Sequence, residues 1–341
     1  MSMLSELREG PATVEGLLRS AGQVDRVAEA VRSRHIDLAV IAARGTSDHA
    51  AIYAQYILGA RNGLLVAPAA PSLVSLYGAP PHLRHSVVLG ISQSGKSPDV
   101  VSVLAESRRQ GAMTVAITND SDSELAAAAE YLIELEAGEE RAVAATKTYL
   151  AEIAVVAMLS AALSGDRKSR DELAALPDAM SEALRTEARV APLAAEWAGE
   201  SRCAVLARGF HYATAREWAL KLKELAYVLA DPYSAADFQH GPIALVGEGF
   251  PVLAVATAGP ALDGMVELLG RLREARARLV VLSDAADLEG LGSMVRIPAV
   301  PEWLSPLVAI LPAQLFAYHL ARARGLDTEN PRNITKVTLT L

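Results

Sequence analysis

Leu38–Gly45 reads LAVIAARG, a short continuous apolar run that stops at Arg-Gly and gives way to the helically spaced TSDHAAIYAQYILGA. Cys203–Gly209 reads CAVLARG and leads into FHYATAREWALKLKEL, the same order of features 208 − 44 = 164 residues further on. That offset also lays Val88–Gly95 (VLGISQSG) on Val252–Gly259 (VLAVATAG) and Val115–Asp120 (VAITND) on Leu279–Asp284 (LVVLSD). Tyr131–Leu135 (YLIEL) falls on Val295–Ala299 (VRIPA). Strand-like runs that coincide four times without a gap point to a duplication.

These runs have no polar face. A strand apolar on both sides belongs in a parallel sheet covered by helices above and below. Helical patterns over Pro98–Arg109 and Asp122–Ala129 separate successive runs. Each half is therefore expected to be a doubly wound α/β domain. The expected organisation is a helical segment over 1–30, domains over 31–164 and 195–327, an Ala/Leu/Glu/Arg-rich helical linker over 165–194 and a tail over 328–341.

Composition narrows the class. The 341 residues are 51% apolar, enough for two cores, and a net charge of −8 argues against a nucleic-acid partner. Cys203 is the only cysteine, so no intramolecular disulfide and no cysteine-based metal cluster is expected. His35, His49, His82, His85, His211 and His319 show no spacing that reads as a metal site. The start, MSMLSELREG, lacks an apolar signal core, and no window is expected to approach the roughly 20 apolar residues of a membrane span. A soluble, cytoplasmic protein without a membrane partner is the expectation.

Ligands of open parallel sheets gather beyond the carboxyl ends of the strands. Arg44-Gly45-Thr46-Ser47, Ser92-Gln93-Ser94-Gly95 and Thr118-Asn119-Asp120 follow such ends and should line one crevice. The loop ISQSGKSPDV (Ile91–Val100) lacks the spacing of a Walker loop, and the copies diverge here, SQSG in the first against ATAG in the second. Pro98-Asp99 starts a helix, whose N-terminus offers N–H groups and positive dipole, and Ser92, Gln93, Ser94 and Ser97 add donors. That set suits a phosphate on a small molecule, although an ordinary Ser/Gly helix cap would look similar.

The second copy is richer in titratable groups. Glu217, Lys221 and Glu224 in REWALKLKELAY share one helix face. An exposed ion-pair ladder is the plain alternative. Against it, Trp218, Leu220, Leu222, Leu225 and Tyr227 make most of the helix apolar, and a buried charged stripe needs partners or a ligand. His240, in the turn-like DFQHGP, and Lys336, near the C-terminus, read by themselves as surface residues.

Together ARGTSDHA, SQSGKSPD, GEERAVAATKTY, ALKLKELAYVLADPYSAADFQHGPIALV and ENPRNITKV carry a resemblance, from about Ala28 to Leu341. The sequence resembles the tandem form of the sugar isomerase (SIS) family of phosphosugar-binding domains. It is similar to the isomerase half of glucosamine-6-phosphate synthase, and SQSGKSPD and AVAATK bring it closer to SIS-type glucosamine-6-phosphate deaminases. The resemblance implies two flavodoxin-like domains without a cofactor or metal. It implies that Ser92, Gln93, Ser94 and Ser97 hold the sugar phosphate, with Thr46, Ser47, Ala144 and Ala145 beside the sugar. Glu224 would move a proton between C1 and C2, His240 assist ring opening, and Lys336 form a Schiff base, with Lys221 and Glu217 in support. It further implies a homodimer in which His240 reaches the neighbour's site.

Four positions depart from the synthase pattern. Ala145 stands for a serine, Asp237 for a glutamate, Gln239 for a lysine and Lys96 for an acidic residue. With no cysteine before Cys203 and about 30 residues ahead of the first strand, the chain is expected not to hydrolyse glutamine. The expected reaction is conversion of glucosamine 6-phosphate to fructose 6-phosphate and ammonia. Alternatives are another phosphosugar isomerisation, a fructosamine-6-phosphate deglycase or aminotransferase-like activity, and a non-catalytic phosphosugar sensor.

Overall fold

Ten strands form among residues 2–336, which the computed structural model describes. β1 (Leu38–Ala42), β2 (Leu65–Pro68), β3 (Val87–Ile91), β4 (Met113–Thr118) and β5 (Tyr131–Glu134) make one sheet, ordered β2-β1-β3-β4-β5. β6 (Arg202–Ala207), β7 (Leu229–Ser234), β8 (Pro251–Val255), β9 (Arg278–Ser283) and β10 (Ser293–Arg296) make the other, ordered β10-β9-β8-β6-β7. All neighbouring pairs are parallel, so from matching edges the two sheets have one doubly wound topology. The central strands β3, β4 and β8 are buried at every residue, which is why their sequences never alternate.

The duplication is confirmed, but its gapless form needs correction. β1 and β6 pair with their edge strands in the same register, Leu38 on Leu65 and Arg202 on Leu229, so the offset of 164 holds and reveals a strand pair the sequence reading did not single out. Beyond β3 and β8 it slips. Val87 faces Met113 while Pro251 faces Arg278, so Met113 matches Arg278 at 278 − 113 = 165. Val115 faces Tyr131 while Val280 faces Ser293, so Tyr131 matches Ser293 at 293 − 131 = 162. A register shift exposes itself in sequence only when one face is polar. The buried strands β4 and β9 tolerate a slip that the connecting segments absorb, and the four-residue strands β5 and β10 are too short to reveal one.

The edge strands differ. Leu65 and Leu229 are 70% and 71% exposed, and β7 contains Pro232, a residue that an edge strand accommodates without losing a central ladder bond.

Two compact units result. One comprises Glu9–Arg141, Ala145–Ala174 and the tail from Thr335; the other comprises the residues up to Arg8, Ala142–Ala144 and Ala175–Ile334. In the first, Val40, Val88, Ala116 and Leu104 pack into one cluster. In the second, Leu206, Val252, Val281 and Phe238 do the same. The expectation that no stretch could pass for a membrane span also needs correction. Two helices, Lys147–Ser164 and Glu302–Ala323, are long and apolar enough by composition, but each is 89% buried, as core helices of an α/β fold are.

Gly95 shows how tightly the β3 loop is seated. Its φ is +63°, and a β-carbon there would fall 2.1 Å from Ser123 Oγ and 2.9 Å from Thr118 Oγ1. Gly95→Ala is expected to lower stability by roughly 2–4 kcal/mol, from left-handed strain and overpacking together. Urea denaturation would show it; an unchanged midpoint would mean the loop is looser than described.

Candidate functional site

In the first unit the loop after β3 is held by its carbonyls. Gln93 O accepts from Asn119 N (3.1 Å) and Thr118 Oγ1 (3.3 Å), and Gly95 O accepts from Leu125 N (3.1 Å). Ser97 stands at the N-cap of the helix Pro98–Arg109, yet its hydroxyl makes no capping bond. Among the described residues the Ser92, Gln93 and Ser97 side chains donate to nothing, whereas Ser94 Oγ accepts from Lys96 N at 3.3 Å. Arg44, after β1, braces the start of this helix through Asp99, which is buried, with Nε 2.6 Å from Oδ2.

Gln93 and Ser94 line a cavity of about 670 Å³ together with Lys96, Asp120, Glu140 and Lys336. Lys336 Nζ lies 2.7 Å from Glu140 Oε2. Lys336, readable by itself as a solvated charge, is therefore held against a carboxylate in the cavity that the β3 loop lines. Ser47 is buried and donates to Glu152 Oε1 at 2.7 Å, so its proton is committed within the unit. Thr46 opens the helix Thr46–Asn62 and is half-buried. Ala145 is half-buried in the first unit, and Ala144 is buried in the second.

Glu140 is the residue that sequence reading missed. Its Oε1 accepts from Thr146 N (2.9 Å) and Thr148 N (3.1 Å), and its Oε2 from Thr148 Oγ1 (2.7 Å). It thereby caps the helix Lys147–Ser164, whose N-cap Thr146 supplies no side-chain bond. Burial would raise its pKa, but the charge and hydrogen bond of Lys336 and the bonds from Thr148 and Thr146 outweigh burial and hold it below the ordinary value. The signal in sequence, a Glu-Glu pair ahead of AVAATKTY, was visible but indistinguishable from a surface charge pair.

In the second unit the helix Tyr212–Ala226 buries Glu217 and Lys221 completely and leaves Glu224 at 21% side-chain exposure. Lys221 Nζ lies 2.5 Å from Glu224 Oε2 and 3.3 Å from Glu217 Oε1. The exposed-ladder alternative is excluded by that burial. Burial alone would lower the Lys221 pKa; the charges of Glu217 and Glu224 and their hydrogen bonds reverse this and raise it. Two carboxyl groups thus flank one amine, and Glu224 is the member of the triad that reaches solvent. His240 is exposed after the helix Ala235–Gln239, and its ring bonds to no described residue. The structure gives no contact that joins it to the triad.

The second copy's ATAG loop is spent on its own core. Thr257 Oγ1 lies 2.9 Å from His211 Nε2, Ser305 Oγ lies 2.7 Å from the same nitrogen, and Thr214 Oγ1 lies 3.3 Å from Nδ1. Gly259 packs on Glu302, whose Cδ lies 2.5 Å from where a β-carbon would stand. In the first copy's loop Gln93, Ser94 and Ser97 stay partly exposed while Ser92 is buried; in the second, Thr257 is buried against His211.

The SIS domain profile matches residues 32–162 and 198–324, and the chain belongs to that family. It is 34% identical to glutamine–fructose-6-phosphate aminotransferase (isomerizing) from Methanothermobacter thermautotrophicus over 345 residues. That match takes in 98% of this chain but 56% of the relative, so the chain spans little more than half of it. Among solved structures, the C-terminal domain of glucosamine-fructose-6-phosphate aminotransferase from Francisella tularensis superposes with a TM-score of 0.89 at 25% identity, covering 96% of this chain and 98% of that one. A candidate phosphosugar isomerase from Silicibacter pomeroyi superposes with a TM-score of 0.86 at 33% identity, covering 96% and 100%.

His211 sets an acid limit on the second unit. Burial pushes its imidazole down to about 3 from 6.5, so it folds neutral. The unfolded chain takes a proton there below pH 6.5 and the folded one does not, so stability falls as pH drops through that window, by about 1.4 kcal/mol per unit. Between pH 7 and pH 5 the wild type should lose about 2 kcal/mol more than His211→Gln in urea denaturation. Equal losses would show that His211 is not buried neutral.

Proposed function

We propose that the chain is a cytoplasmic phosphosugar enzyme that isomerises and deaminates glucosamine 6-phosphate to fructose 6-phosphate and ammonium. The observation that carries this reading is one cavity lined by both the loop residues Gln93 and Ser94 and the amine of Lys336. Its volume of about 670 Å³ falls in the range of small-molecule sites and suits a hexose phosphate. The phosphate would take the Ser92, Gln93, Ser94 and Ser97 donors at the helix N-terminus, with Thr46, Ser47, Ala144 and Ala145 beside the sugar.

His240 would open the ring. Glu224 would then remove the C2 proton and deliver it toward C1, leaving an imine at C2 that water splits into ketone and ammonia. Lys221 would hold the Glu224 carboxyl group in position through their 2.5 Å contact, with Glu217 as the second partner of the buried amine. Lys336 would hold the keto sugar as an imine. The exposed His240 ring supports our reading that it serves a second copy of the chain in a homodimer. A plain aldose–ketose isomerisation is the second reading, supported by the 33% identity to a candidate phosphosugar isomerase.

Ammonium release from glucosamine 6-phosphate tests this. The wild type should release it, and Glu224→Gln should slow release by about 10²–10⁴-fold. Dilution through the dimer's dissociation range should reduce specific activity. No release by the wild type removes the deaminase reading, and sugar-phosphate isomerisation without ammonium would select the second.

A further inference from the structure

We infer that Glu140 is the positioning residue and fixed counter-ion of Lys336, holding a positive charge on that nitrogen both before and after it condenses with a ketose phosphate. This rests on the reading of Lys336 as an imine-forming lysine.

The geometry divides the carboxylate into two halves. Oε1 is filled by the backbone N–H groups of Thr146 and Thr148, which lock it to the start of a long helix. Oε2 receives Thr148 Oγ1 and Lys336 Nζ, each at 2.7 Å. The Glu140 side chain has no exposed surface, whereas Lys336 keeps 23% and lines the cavity. An anion with four donors is anchored; the lysine that meets it keeps part of its surface in the cavity.

The chemistry makes such an anion useful. Overall, an ammonium and a ketone give an iminium and one water: the C=N bond forms, the C=O bond breaks, and its oxygen leaves as water with two of the nitrogen's protons. The charge on nitrogen is +1 at both ends. A carboxylate that stays ionised stabilises reactant and product alike, and it disfavours the neutral amine and neutral imine. Removing it should narrow the pH range over which the iminium persists, from the alkaline side. The other charged groups lining the cavity are Lys96, Asp120, Glu134, Glu136 and Glu139, and they are common to wild type and variants.

The experiment uses the full chain with fructose 6-phosphate and cyanoborohydride, which reduces an iminium to a stable amine, across pH 6 to 9. Intact-mass and peptide mapping read the adduct. Wild type should be labelled at Lys336. In Glu140→Gln, which keeps the cap's acceptor oxygen, the pH of half-maximal labelling on the alkaline side should fall by about one unit. Glu140→Asp, which keeps the charge, should restore most of that range even at lower yield. An unlabelled wild-type Lys336 would defeat the imine reading itself. Labelling of the wild type with an unmoved limit in Glu140→Gln would defeat the counter-ion inference alone.

Lys336→Met keeps the inference open to test if Glu140→Gln does not fold. A counter-ion left unpaired should lower Tm most at neutral pH, with the deficit shrinking on acidification as Glu140 takes a proton. A Tm equal to wild type at neutral pH would overturn the ion pair.

Discussion

The constraint on which this structure depends is that its central strands are buried on both faces. A strand covered by helices above and below offers no surface for chemistry along its length. Polar groups can act only where the ladder ends, and in a parallel sheet the carboxyl ends lie together. In the first unit that rule brings Arg44, the Ser92–Ser97 loop and Thr118–Asp120 to the same edge. It also explains why loops, rather than strands, distinguish the two copies.

A second theme is how buried charge is made tolerable. Lys221 sits between two carboxylates, and Glu140 collects four donors. Each arrangement offsets a desolvation cost that an isolated charge could not meet. In both, one partner is fully enclosed and another keeps a route outward: Glu224 in the first case, Lys336 in the second. Our functional reading assigns the work to those outward partners. The inner ones set charge and direction.

Much of this was legible in the sequence. The Arg-Gly terminations after β1 and β6 marked the duplication, and SQSG against ATAG marked the divergence. The four-and-three spacing of Glu217, Lys221 and Glu224 gave a shared face, and the apolar residues around it gave burial. Other features were hidden for physical reasons. β2 and β7 are edge strands, each carrying a proline and an exposed leucine, so neither reads as a continuous buried run. The slip at β9 leaves no trace because that strand is buried almost throughout, and β10, four residues long, is too short to mark its own register. The role of Glu140 was hidden because its partners, Thr146, Thr148 and Lys336, include one almost two hundred residues away, at 336 − 140 = 196. Core helices as apolar as Lys147–Ser164 look like membrane spans until their neighbours are seen.

On our reading the two copies divide the work, and the anion belongs to the first. A crystal structure of the protein with glucosamine 6-phosphate tests it most directly. It should place the phosphoryl oxygens about 3 Å from the Ser92, Ser94 and Ser97 hydroxyls, with Ala256–Gly259 still packed on His211 and Glu302. A phosphoryl group bound at the Ala256–Gly259 loop, with the Ser92–Ser97 loop untouched, would contradict it.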